Sequence, residues 1–177
     1  MMKDSYEITP LLTAALNGTE SIVDLIINYG LDPVTEKIDE SKSLCTELER
    51  CEALELMGST LVDKRRDISK GIQYWRIALE RRRLNIKRIL SGDVREGETI
   101  ATYQKRPAKP NAAYNYAVEF KSVEELDQIM ANVDEIRMQS LLIRERILGQ
   151  THSDVNYYIR FRGAVYADSG DFEMCIR

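Results

Sequence analysis

The sequence predicts an all-α protein built as a solenoid of helical repeats. Apolar residues recur at intervals of three and four, which is the period of an α-helix with one buried face. Two stretches carry the same helix–turn–helix spacing around a glycine, and such internal repetition is the signature of stacked repeats. A chain of 177 residues that is 44% hydrophobic suits one compact domain or one segment of a repeat array.

Residues 1–33 are predicted to form the last ankyrin repeat of an array. Thr9 can cap a short helix with Pro10 at its first position, and Gly18 separates that helix from a second one. The length matches an ankyrin repeat of about 33 residues, although Leu12 stands where the TPLH motif has histidine. Because such repeats bury their core against neighbours, one repeat cannot cover both of its faces.

After a polar linker at residues 34–44, residues 45–90 are predicted to form a tetratricopeptide-like hairpin. Gly58 and Gly71 are its small packing positions, and its turn is one residue longer than that of the C-terminal copy. The apolar stripes of the two helices are Leu48, Cys51, Leu54, Met57 and Leu61, then Ile68, Ile72, Trp75 and Leu79.

Residues 91–118 have glycines and prolines, no period and few apolar residues, so they are predicted to form a flexible loop exposed to proteases. Residues 119–177 are predicted to hold further tetratricopeptide-like repeats, truncated at the C-terminus. Ser122 with Glu125 forms a capping-box pattern, Asn132 starts the next helix, and Ser153 is expected to cap the one after it.

The most regular repeat pattern lies in the last third of the chain, around Gly163. Tyr166 follows this glycine by three residues and Gly170 by seven, and then come Phe172 and Cys175. This spacing is that of a tetratricopeptide repeat of about 34 residues. We expect the large residues Trp75, Tyr166 and Phe172 to be buried.

Composition limits the partners and the compartment. The net charge of −4 and the pI near 5.2 argue against a nucleic-acid surface. No segment reaches the roughly 20 apolar residues of a membrane span, so a cytoplasmic protein is expected, with the nucleus as a second compartment. Cys45, Cys51 and Cys175 are odd in number and are interpreted as free thiols in a reducing compartment.

Nothing in the sequence predicts an enzyme, a metal site or a cofactor site. His152 is the single histidine, and a loop or capping role is favoured over a base paired with Asp154. The basic run at residues 81–88 is either a nuclear-localisation or anion-binding patch, or a solvated helix end. The carboxylates Glu47, Glu49, Glu52 and Glu55 are expected on an exposed helix face.

Four segments carry a family resemblance: CEALELMGSTLVDKRRD (51–67), YWRIALERR (74–82), IRMQSLLIRERILG (136–149) and YYIRFRGAVYADSGDF (157–172). Together with the preceding predicted ankyrin repeat, their order and their amino-acid sequences resemble those of the Fem (feminization) family. The resemblance implies the substrate receptor of a cullin-2 RING ubiquitin ligase, which holds proteins with C-terminal degrons, commonly ending in arginine. In the family, the degron pocket lies in the N-terminal ankyrin repeats, and the elongin B/C and cullin-2 contacts lie near the C-terminus. The chain is expected to be a central fragment between them, so no family binding residue transfers to it.

Two further interpretations remain open. One is a tetratricopeptide adaptor of the chaperone type, which holds an acidic tail with lysines. Here the corresponding positions are Asp63 and Asp168, which would suit a cationic segment or simply start the inter-helix turns. The other is a purely architectural segment, because repeats contact only their neighbours and a junction sets their orientation. Exposed apolar faces, for example around Ile22 and Ile26, predict self-association of the fragment.

Overall fold

The structure is a computed structural model that describes residues 8–30, 42–105 and 110–176. Two compact units divide the chain, Met1–Lys105 and Arg106–Arg177. Regular structure in the described residues is helical throughout, which confirms the all-α prediction. The first unit holds α1 (Pro10–Asn17), α2 (Glu20–Ile27), α3 (Glu47–Thr60), a π-helical turn (Leu61–Arg65), α4 (Ile68–Leu90) and α5 (Ile100–Tyr103). The second holds a 3-10 turn (Ala112–Tyr114), α6 (Val123–Ile129), α7 (Val133–Leu148), α8 (Ser153–Asp168) and α9 (Phe172–Ile176).

The α1–α2 hairpin begins as the sequence predicts. The Leu12 backbone N–H donates to the Thr9 hydroxyl at 3.3 Å, so Thr9 is the N-cap of α1. Gly18 ends the helix with a φ of 70°, a left-handed conformation that glycine adopts without steric cost. Val23 and Ile27 form the buried face of α2, whereas Ile22 is 45% exposed. Self-association through this exposed face stays a prediction.

The α3–α4 hairpin is the centre of the first unit, and two glycines allow its helices to approach closely. A Cβ atom on Gly58 would lie 2.5 Å from the indole of Trp75, and one on Gly71 would lie 2.8 Å from the carbonyl oxygen of Gly58. Trp75 is completely buried, and its indole N–H donates to the Glu55 carbonyl at 3.0 Å. The expected burial of this tryptophan is therefore confirmed.

The extra residue of this hairpin lies in the π-helical turn that continues α3. The backbone N–H of Arg66 donates to the Leu61 carbonyl, an i to i+5 bond, and Arg66 then leaves the helix with a φ of 58°. The Asp67 side chain accepts from the Lys70 N–H at 3.0 Å and starts α4. The longer turn predicted from the glycine spacing is thus accommodated as a wider last turn of helix.

The interval 91–118, predicted to be a flexible loop, contains ordered structure where it is described. Residues 93–105, called the strap below, include α5 and end at Lys105. Tyr103 in the strap is 2% exposed, and Tyr114 in the 3-10 turn is 7% exposed. The flexibility of the interval stays a prediction. The linker predicted at 34–44 falls mostly outside the described residues.

Side-chain caps position the helices of the second unit. Ser122 accepts from the Glu125 N–H at 3.2 Å, and Asn132 accepts from the N–H groups of Asp134 and Glu135. The expected cap of α8 is wrong by one residue. His152, not Ser153, is the N-cap, because its Nδ1 accepts from the Asp154 N–H at 3.1 Å. The imidazole therefore has the capping role that the sequence favours.

The core of the second unit lies where the 3-10 turn, α7 and α8 meet. Two arginines stack on tyrosine rings there, Arg144 at 4.2 Å from the Tyr158 centroid and Arg162 at 4.8 Å from the Tyr166 centroid. The apolar side chains of this core are Tyr114, Met138, Leu141, Leu142 and Tyr158.

Two aromatic residues of the C-terminal pattern are less buried than the sequence predicts. Tyr166 is only half-buried, and Phe172 at the start of α9 is 67% exposed. The packing position Gly163 is also looser than expected, since a Cβ there would have its nearest neighbour, the Cys175 carbonyl, at 3.8 Å. None of the helices in the described ranges is long and apolar enough to cross a membrane.

Candidate functional site

The candidate site is the junction between the α1–α2 hairpin and the α3–α4 hairpin, because polar side chains tie the two together inside one unit. Arg50 on α3 is the central residue and is 1% exposed. Its Nε donates to the carbonyl of Ile27 at the end of α2 at 3.0 Å, and its two Nη atoms bind Glu47 and the Ser43 hydroxyl. One guanidinium thus fixes the end of the α1–α2 hairpin against the start of α3.

A second set of contacts joins the other end of α2 to α4. Lys70 pairs with Glu20 at 2.6 Å, and the Tyr74 hydroxyl donates to the same carboxylate at 3.2 Å. Burial, with the nearby carboxylates of Asp24 and Glu20, raises the pKa of Tyr74, which keeps the phenol in its donating form. The junction is therefore held at both ends of α2.

A buried charge cluster lies between α3, α4 and the strap, and the sequence analysis missed it. Glu55 is fully buried rather than exposed as expected. Arg82 donates to its two carboxylate oxygens at 2.8 and 2.9 Å, and the Lys105 ammonium lies 3.4 Å away. Arg82 also donates to the Tyr103 carbonyl at 3.2 Å. The basic run was the one sequence signal that could have indicated this cluster. A cation that becomes buried on a helix needs a carboxylate partner nearby.

The arginines of the basic run are engaged in ion pairs within the unit. Arg81 pairs with Glu47 at 3.1 Å, Arg82 with Glu55, and Arg83 with Glu80. Burial acts to raise the pKa of Glu47, but Arg81 and Arg50 outweigh it and lower the pKa overall. The pairs of Arg81 and Arg82 fix α4 to α3, whereas Arg83 pairs within α4 and stays half-exposed. The nuclear-localisation and anion-binding interpretations of the run stay predictions.

Arg88 continues this pairing to the strap. It binds Glu98, which also accepts from the Tyr103 hydroxyl. Burial would raise the pKa of Glu98, yet the hydrogen bonds from Arg88 and Tyr103 outweigh it, so that the pKa is lowered overall. The strap is consequently attached by charge to α4 at Glu98 and to α3 at Lys105.

The two acidic residues proposed from sequence, Asp63 and Asp168, lie in different units. Asp63 lies in the π-helical turn and is partly buried, whereas Asp168 is the last residue of α8 and is exposed. Both stand at the turn between two helices, as the simpler interpretation expects. Their role in binding stays a prediction.

The side chains of this site are suited to stabilising the arrangement of the helices. In the ranges 8–30, 42–105 and 110–176, no three His, Cys, Asp or Glu side chains lie close enough to hold a metal ion. Burial raises the pKa of Cys51 to about 12, so its thiol stays protonated and unreactive at neutral pH. Cys45 is buried as well, and desolvation raises its pKa in the same direction.

Comparison with known proteins places the chain in a family. No protein-family model matches it. Protein fem-1 homolog C of Danio rerio is 43% identical over 177 residues, covering 100% of the chain and 24% of that relative. Protein fem-1 homolog C of Homo sapiens is 44% identical over 176 residues, which cover 99% of the chain and 24% of that relative. Protein fem-1 homolog A of Bos taurus is 41% identical over 202 aligned residues, which cover 100% of the chain and 29% of that relative. The chain spans about a quarter of the length of these curated relatives.

The similarity runs through both units, from the α1–α2 hairpin to α9, and is not confined to the repeat signatures that unrelated proteins share. It agrees with the resemblance carried by the four quoted segments. On this evidence the chain belongs to the fem-1 family.

Proposed function

We propose that this chain is the central scaffold of a substrate-recognition subunit of a cullin-2 RING ubiquitin ligase. In this proposal the whole protein binds substrates with C-terminal degrons of the arginine type and acts as a receptor, not as a catalyst. Elongin B/C and cullin-2 bind regions outside this chain. The observation that carries the proposal is the fem-1 identity of 43–44% along the full chain. A cytoplasmic protein with access to the nucleus fits this role.

Within that subunit, the chain's contribution is to fix the ankyrin repeats against the first tetratricopeptide-like hairpin. Arg50 and Glu20 support this role, because each makes contacts from one hairpin to the other. A receptor must hold its substrate at a defined place, and a junction tied at both ends of α2 reduces the freedom of the repeats that precede it.

The test uses the full-length protein. Co-purification with elongin B/C and cullin-2 is expected, together with faster turnover of a reporter that ends in an arginine-type degron. Arg50→Ala is expected to keep the cullin association and to slow reporter turnover, with Lys87→Ala at an exposed position of α4 as the control. A full-length protein that binds neither elongin B/C nor cullin-2 would refute the ligase role.

The alternative is a tetratricopeptide adaptor of the chaperone type without a ligase role. It requires a cationic inner face for an acidic tail, whereas the chain has Asp63 and Asp168 at the relevant positions. Micromolar binding of a chaperone tail peptide, with no cullin association, would favour the adaptor.

A further inference from the structure

Residues 117–120 lie against α7 in the way that a bound peptide lies against its receptor. These residues belong to no helix or turn. The Gln139 side chain bonds to their main chain at two points: its Nε2 donates to the Val118 carbonyl at 3.0 Å, and its Oε1 accepts from the Phe120 N–H at 3.0 Å. Gln139 is 4% exposed; its bond to the Phe120 N–H is buried and shielded from competing water, whereas its bond to the Val118 carbonyl is partly buried. Such paired main-chain bonds hold a segment whatever its sequence.

Side-chain contacts add sequence selectivity to this docking. Glu119 forms a two-point ion pair with Arg146, at 2.7 and 3.0 Å, and its side chain is 8% exposed. Phe120 is 3% exposed. Gln139 and Arg146 are seven residues apart, or about two helical turns, and therefore lie on one face of α7. That face binds a backbone and a carboxylate, and the buried Phe120 follows the carboxylate in sequence.

The chain enters this docked segment through a strained turn. Asn115 and Tyr116 have φ angles of 50° and 57°, in the left-handed region that asparagine tolerates but that is costly for tyrosine. The Tyr116 side chain is 61% exposed and does not fill the core. Backbone bonds close this turn, from the Tyr116 N–H to the Asn111 carbonyl and from the Ala117 N–H to the Tyr114 carbonyl, both at 2.9 Å, and the turn leads directly into the docked segment.

We propose that this face of α7 is a recognition groove for a non-helical partner segment in which a glutamate is followed by an aromatic residue. Residues 117–120 are its built-in occupant, and a partner segment of the same chemistry displaces them. Gln139 binds the partner's main chain and Arg146 binds its carboxylate. The proposal does not depend on the ligase role, because it rests only on contacts within the second unit.

The test is a binding titration followed by fluorescence anisotropy. The probe is a labelled peptide with the sequence of residues 113–122, AYNYAVEFKS. Glu119→Gln keeps the shape of the built-in occupant and removes the charge that holds it to Arg146. The peptide is expected to bind Glu119→Gln at least tenfold more tightly than the unmodified chain, because the occupant is easier to displace.

Two matched controls decide the outcome. Replacing the glutamate of the peptide by glutamine, or adding Arg146→Ala to the Glu119→Gln chain, is expected to weaken binding at least tenfold. Circular dichroism establishes that each variant is folded, and Glu119→Asp takes the place of Glu119→Gln should the latter not fold. A folded variant that binds the peptide no better than the unmodified chain, or binds it equally well without Arg146, would overturn the proposal.

Discussion

At the residue scale, the close approach of α3 and α4 depends on the missing side chain of Gly58. An added Cβ would meet the Trp75 ring at 2.5 Å and the Gly71 carbonyl at 2.7 Å, and neither the ring nor the backbone can yield cheaply in a packed core. The usual helical preference for alanine, about 1 kcal/mol over glycine, is smaller than the cost of such overpacking.

Gly58→Ala is therefore expected to destabilise the protein by about 1–3 kcal/mol, measured by urea unfolding. Gly163→Ala is the matched comparison, because it also lies within a helix but has no neighbour closer than 3.8 Å. That change is expected to stabilise by about 0.5–1 kcal/mol. Equal effects from the two substitutions would show that the packing at Gly58 is not as tight as described.

The other decisive residue is Glu55, whose charge compensates two buried cations. Glu55→Gln keeps the shape of the side chain but leaves Arg82 and Lys105 without their carboxylate. Removing one partner of a buried ion pair costs about 3–5 kcal/mol, and we expect a loss of that size in urea unfolding.

Glu96→Gln, at an exposed site in the strap, is the control and is expected to change stability by less than about 0.5 kcal/mol. Adding Lys105→Met to Glu55→Gln should recover part of the loss, since the double variant no longer buries an ammonium group against a neutral amide. A Glu55→Gln protein as stable as the control would contradict the proposed balance of charges.

At the element scale, the strap is attached partly by charge, through Glu98 and Lys105, so its attachment should depend on pH. The pKa of Glu98 is lowered in the folded protein by Arg88 and Tyr103 against the opposing effect of burial. A carboxylate with a lowered folded pKa contributes stability that is fully present above its unfolded pKa, near 4.3, and is lost as the pH falls through the folded value.

Stability measured between pH 7 and pH 3.5 is therefore expected to fall less steeply in Glu98→Gln than in the unmodified chain. At pH 7, where the unmodified carboxylate is charged, the same variant should show faster amide exchange in residues 98–105. Glu96→Gln is the control, because Glu96 lies in the same strap and is exposed. An identical pH profile for Glu98→Gln and the unmodified chain would mean that Glu98 does not hold the strap.

The elements show why the sequence predicts some features and not others. Local signals suffice for helix starts, since Thr9, Ser122 and Asn132 bond to backbone within three residues. The sequence analysis wrongly expected Glu55 on an exposed helix face. Its partners Arg82 and Lys105 are 27 and 50 positions away and become neighbours only after α4 and the strap fold back. The groove on α7 was missed for the same reason, since Gln139 and its docked segment are joined by contacts of 19 to 21 positions.

At the scale of the whole molecule, two compact units predict two separable unfolding events. Trp75 is the only tryptophan and lies in the first unit, and His152 is the only histidine and lies in the second. Each unit therefore has its own reporter, indole fluorescence for one and the imidazole proton resonances for the other.

Trp75→Ala removes the largest fully buried side chain and is expected to cost the first unit about 3–5 kcal/mol. Hydrogen exchange should then show lost protection in α3 and α4, while α7 and α8 keep theirs. Leu25→Ala, at a site 66% exposed, is the control and should leave both units intact. Loss of protection in α7 would show that the two units unfold as one.

The π-helical turn at Leu61–Arg65 has a consequence for how such a chain can vary in length. An α-helix advances about 100° per residue, so one inserted residue would normally rotate every later side chain away from its neighbour. Here the widened turn takes up the additional residue before Arg66 leaves the helix, and Gly71 still meets Gly58. A variant with one residue deleted from this turn is therefore expected to keep the same interface by closing the turn to ordinary α-helical geometry.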